Sequence, residues 1–113
     1  MENISTEVFF KEFKNILEDL YQKVEKKSLE YSKDADPFHN FNVGSSLTGL
    51  NSESVLHGFL LKHIISYIDH INHQRQTGLP LFDNKVLTDK VEDIIVFMII
   101  EQIMNKELPK LPF

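Results

Sequence analysis

Asp89 and Asp93 stand four residues apart with Glu92 between them, at the opening of a stretch whose apolar residues recur at helical spacing. Side chains at i and i+4 share one helix face, so their oxygens can converge on a hard divalent cation such as Mg²⁺, whose open side then meets phosphate oxygens. A third carboxylate, Asp69, lies in the preceding helical stretch and joins them if the two helices are antiparallel neighbours. The blander reading is that acidic residues in a first turn complement the exposed N–H groups of a helix start. Both readings stand at this point.

At 100° per residue, Lys62, Ser66, Asp69 and His73 fall within about 60° of one another and form the one polar line on an otherwise apolar helix. Such a line is either a solvated stripe or one wall of a cleft, in which Lys62 supplies positive charge. The same helix carries His57, His63, His70 and His73. Helical ligand spacing is read only in His70/His73 and Asp69/His73, and nothing like His-Glu-x-x-His occurs, so these histidines are not read as transition-metal ligands. His63, in the apolar arc, reads as a hydrogen-bonded core histidine. The four glycines are scattered, which excludes phosphate-loop and dinucleotide-binding signatures.

These residues need helices to position them. Ser5 or Thr6 caps a first helix over 6–31, in which Phe9/Phe10, Phe13, Ile16/Leu17, Leu20/Tyr21 and Val24 recur every three to four residues. From 32 to 51 the periodicity gives way to Asp36-Pro37, Asn40-Phe41-Asn42, Gly44 and Gly49, which predicts a long connection. Phe38 and Phe41 within it are expected to pack back or to close over a ligand. Asn51 or Ser52 opens a second helix over 52–76, with Gly78 as its stop. Thr88 or Asp89 opens a third over 88–106. The expected fold is an all-α single domain over 1–113, a small bundle of three main helices. The second and third are apolar over so wide an arc, with Leu61, Ile65 and Ile68 on one and Val96 and Ile100 on the other, that completion by a second chain is expected.

Composition narrows the function. The 113 residues include no cysteine, which removes disulfides, thiolate metal sites and cysteine nucleophiles and fits a reducing compartment. The net charge of −5, with basic residues dispersed apart from Lys26-Lys27, offers no stripe for duplex nucleic acid. The longest apolar run, Ile94 to Ile100, is far short of the ~20 residues a membrane span needs. A cytoplasmic protein without membrane partners is expected.

Four short segments carry a resemblance. Lys27-Ser28-Leu29-Glu30-Tyr31, Asp34-Ala35-Asp36-Pro37-Phe38-His39-Asn40-Phe41, Lys62-His63-Ile64-Ile65-Ser66 and Asp89-Lys90-Val91-Glu92-Asp93-Ile94-Ile95 occur in this order. They resemble the Lys-x-x-Asp-Tyr, Asp-Pro-Phe-x-Asn-Phe, Lys-His and acidic-helix elements of small phage and prophage proteins related to the nucleotide-modification-associated domain. More distantly they resemble MazG-like all-α nucleoside triphosphate pyrophosphatases. The resemblance implies a helical bundle, oligomerisation in a bacterial host's cytoplasm, and substrate contacts from Tyr31, Asp36, Phe38, Asn40, Phe41 and Lys62. It also implies Mg²⁺ on acidic pairs, here Asp89 and Asp93 with Asp69. Three departures stand out: Glu30 replaces the usual Asp, Lys90 occupies the place of a paired Glu, and the 52–76 helix lacks Glu-x-x-Glu.

Two functions follow as expectations. In one, a nucleotide binds between the second and third helices with Mg²⁺ on Asp69, Asp89 and Asp93, and the metal serves hydrolysis if the protein is catalytic. In the other, a non-catalytic phage protein assembles as a homo-oligomer, a dimer by preference, or binds a host partner through the 32–51 segment.

Overall fold

The computed structural model describes residues 2–31 and 36–109, with side chains left undescribed at 28–31. Four helices follow in order, α1 (Thr6–Tyr31), α2 (His39–Thr48), α3 (Ser52–Thr77) and α4 (Asn84–Met104), with no strand among the described residues. Two compact units, Met1–His39 and Asn40–Phe113, divide the chain that the sequence presents as one domain.

In the first unit, Ser5 Oγ accepts the Val8 N–H at 3.1 Å and caps α1, as the sequence predicts. Leu20 is buried, whereas Phe9, Phe10, Phe13, Ile16 and Leu17 are exposed. The Asp36 carboxylate then accepts the Phe38 N–H at 2.9 Å, and its carbonyl accepts the His39 N–H at 3.2 Å. This is an Asx-type turn, one of the few local arrangements that suit an Asp-Pro pair.

The second unit contains the main departure from the sequence reading. Residues 39–48, expected as part of a connection, form α2. The segment His39-Asn-Phe-Asn-Val-Gly-Ser-Ser-Leu-Thr48 is poor in strong helix formers, and packing overrides that weakness. Phe41 is only 7% exposed and meets Phe59 and Phe97 edge-on, with centroids 6.1 and 6.3 Å away, while Phe59 and Phe97 lie parallel at 6.2 Å. Gly44 allows the approach of α2 to α3: a Cβ there would stand 2.7 Å from Val55 Cγ1.

Asn51 caps α3 by accepting the Ser54 N–H at 2.7 Å, and Gly78, at φ 72°, ends it in the left-handed conformation that favours glycine. Helix α4 begins at Asn84, four residues before the expected start. Asp83 is the cap, its Oδ1 accepting the Val86 N–H at 2.9 Å, so the helix recruits Val86 and Leu87 before Thr88 is reached. Asp89 and Asp93 therefore lie beyond the first turn, and complementing the exposed N–H groups does not account for them.

Helices α3 and α4 run antiparallel, as their cross-pairs show: Glu53 with Asn105, His57 with Glu101, His63 with Asp93, Ser66 with Lys90, and His70 with Phe82. Leu56 and Leu60 are buried along this seam side, and no residue of α4 is buried.

Candidate functional site

The seam between α3 and α4 brings together polar side chains of both helices, and part of it is held by a linked set of contacts. Lys90 Nζ donates to Ser66 Oγ at 2.9 Å and stands 4.7 Å over the Phe82 ring. Phe82 stacks on His70 at 5.7 Å with the planes 9° apart, and its N–H donates to His70 Nδ1 at 3.3 Å. An accepting Nδ1 puts the proton of a neutral ring on Nε2. His70, 4% exposed, is thus the core histidine, not His63. His63 is half-buried, stacked against Phe97 at 5.5 Å, with Nδ1 3.8 Å from Asp93 Oδ2.

The residues expected to bind substrate or metal are dispersed. Lys62, Asp69 and Asp89 are exposed, and Asp93 faces His63. Among the described residues, Asp69, Asp89 and Asp93 do not bring three ligand oxygens within 4.8 Å of one another. The register explains this: pairing Ser66 with Lys90 turns one member of the expected polar line into the seam, while Lys62 and Asp69 on either side of it stay in water. Lys90, which takes the place of a paired Glu in the MazG-like pattern, is committed to Ser66 and Phe82.

Phe41 packs back onto the aromatic core. Asp36 organises the turn before α2 through its contacts with Phe38 and His39. Phe38 is half-buried and Asn40 exposed. The Tyr31 side chain lies outside the described residues. A shallow surface hollow along α1 is lined by Lys14, Leu17, Glu18, Tyr21 and Gln22, none of them a candidate.

One group does bring three ligand atoms together. Glu53, His57 and Glu101 place theirs within 4.8 Å of one another. His57 Nε2 is 2.7 Å from Glu101 Oε2 and 3.9 Å from Glu53 Oε1. The i,i+4 spacing of Glu53 and His57 is the one part of this group that is legible in the sequence. Glu101, 44 residues further on, is brought in only by the antiparallel register. No helix among the described residues is long and apolar enough to cross a membrane. Comparison with protein-family models, curated proteins and solved structures finds no match to this chain.

Proposed function

We propose that this chain is a non-catalytic assembly protein that pairs with a second copy of itself through the outer face of α3. The carrying observation is the exposure of Leu61, Ile65 and Ile68, at 55, 51 and 47%, on one stripe of that helix. At 100° per residue the three span about 60° and are centred about 120° round the helix from Leu56 and Leu60, which face the seam. The exposed large apolar residues of α4 are Val86, Met98, Ile99 and Ile103, whereas Val96 and Ile100, expected to be uncovered, are half-buried. Ile99 and Ile103 point to the opposite flank of the hairpin and take no part in this contact.

Glycine supports the same face. Gly58 lies one turn before Leu61 on the same stripe, in the body of α3, where it costs about 1 kcal/mol relative to alanine. Among the described residues, nothing beyond its chain neighbours and the nearby backbone of α3 lies within 4 Å of where a Cβ would stand. A partner backbone approaching closely there gives the missing side chain a purpose.

Burying the exposed half of six apolar side chains, three from each copy, contributes about 1 kcal/mol each. That sum is comparable to the low end of the cost of association, so the contact is a reversible dimer strengthened by close helix packing at Gly58. On the phage-type resemblance, such a dimer works in the cytoplasm of a bacterial host. The nucleotide reading, with Mg²⁺ on Asp69, Asp89 and Asp93, draws less support because those carboxylates do not converge. Light scattering across a micromolar concentration range tests the proposal. The wild type should rise from 13.2 kDa toward twice that mass, and Ile65→Glu should hold it at the monomer mass. A wild-type monomer throughout would refute it.

A further inference from the structure

The Glu53/His57/Glu101 group contains more negative charge than an ion pair explains. Glu53 and His57 project from one face of α3 because they stand four residues apart, and α4 returns antiparallel to bring Glu101 to the same imidazole. Both carboxylates approach a single nitrogen, Nε2. That nitrogen carries at most one proton, and Glu101 at 2.7 Å takes the hydrogen bond. Glu53 at 3.9 Å is left to Asn105, whose Nδ2 donates to Glu53 Oε1 at 3.3 Å. A divalent cation taking the place of the Nε2 proton would engage the nitrogen lone pair and both carboxylates together.

The distances suit such an ion. Tetrahedral zinc, with Zn–N and Zn–O bonds of about 2.0–2.1 Å, sets its donor atoms about 3.3 Å apart. The present separations of 2.7 and 3.9 Å lie on either side of that value, so an ion seats by opening one contact and closing the other by about 0.6 Å each. All three side chains are partly exposed, which gives the ion a route in and leaves a fourth position for water. Imidazole among the donors favours zinc over Mg²⁺, a cation that prefers oxygen. Asn105 also donates to the Glu101 carbonyl at 3.0 Å, so one side chain ties the end of α4 to a ligand-bearing carboxylate.

We propose that Glu53, His57 and Glu101 form a zinc site joining the first turns of α3 to the last turn of α4. The site borders the α3 dimer face, because His57 stands one turn before Leu61.

Chelator-treated, untagged protein titrated with zinc chloride by calorimetry, with the melting temperature followed by circular dichroism, decides the matter. One zinc per chain should bind, and at a hundredfold excess over Kd the melting temperature should rise by about 10 °C. Magnesium chloride at the same concentration should leave it unchanged. His57→Ala and Glu101→Gln should each abolish the rise, and Asn105→Ala should weaken binding about tenfold through its hold on Glu53. Glu53→Gln, at a half-exposed position that the fold tolerates, repeats the test if either of the first two variants fails to fold. Absence of zinc uptake would overturn the proposal. So would uptake that survives His57→Ala, because the zinc would then reside on other histidines.

Discussion

Replacing Gly58 with alanine separates what α3 needs as a helix from what it needs as an interface. Among the described residues the added methyl meets nothing within 4 Å beyond its own stretch of α3, so it neither clashes nor gains contacts there. Helix propensity then acts alone and should stabilise the protomer by about 1 kcal/mol, or about 4 °C in melting temperature for a chain of this size. At a close helix–helix contact the same methyl is overpacking, which costs about 1–3 kcal/mol and raises the dimer dissociation constant by about 5- to 150-fold. The two effects have opposite signs and are read separately. Thermal melting of Gly58→Ala in the Ile65→Glu background, where the face is broken, reports the protomer. Sedimentation equilibrium of Gly58→Ala in the otherwise wild-type chain reports the dimer. A dissociation constant unchanged within about threefold, beside the expected rise in the melt, would show that Gly58 lies off the interface and would remove its support for the α3 pairing.

Gly44→Ala should act the other way in the protomer, because its Cβ falls 2.7 Å from the stiff, branched Val55 side chain. A net loss of about 1–2 kcal/mol in denaturant melts is expected, recovered in Gly44→Ala/Val55→Ala, which removes the clashing methyls. The Tyr21 hydroxyl donates to the Glu25 carboxylate, and that hydrogen bond, with the carboxylate's charge, raises the phenol above its ordinary value of 10. Its contribution to stability is full at neutral pH and is lost as pH climbs through the raised value. Ultraviolet titration should show the Tyr21 phenol ionising late, a step absent in Tyr21→Phe and shifted down in Glu25→Gln. Canonical and modified nucleoside triphosphates with Mg²⁺ should yield no pyrophosphate. Release that is lost in Asp93→Asn would replace the assembly reading with the nucleotide one.

How far the fold could be read from sequence varies with where each signal resides. The limits of α1 and α3 were legible because their signals are local: Ser5 and Asn51 cap with their own side chains, and Gly78 supplies a positive φ. Helix α2 was not legible. Its cause is Phe41 settling edge-on against Phe59 and Phe97, rings 18 and 56 positions away in the chain, while its own asparagines, serines and glycine argue for a turn. The start of α4 was misjudged for a smaller reason: Asp83 caps as well as Thr88, and nothing local ranks them.

The candidate sites divide along the same line. Periodicity on one helix identified Lys62, Ser66, Asp69 and His73 as a line, but which members face water depends on register against α4, and register is a property of the pair. Sliding α3 against α4 by one turn would exchange the partners of Ser66 and His63 and alter which carboxylates meet. The observed register sends Lys90 to Ser66 and Asp93 to His63, and it delivers Glu101 to His57. The ring contacts along the seam, Phe82 on His70 and Phe97 against Phe41 and Phe59, hold that register by packing. The polar cluster with ligand geometry is therefore a consequence of where the aromatic rings seat. A substitution that loosens the rings should disperse Glu53, His57 and Glu101 before it unfolds either helix.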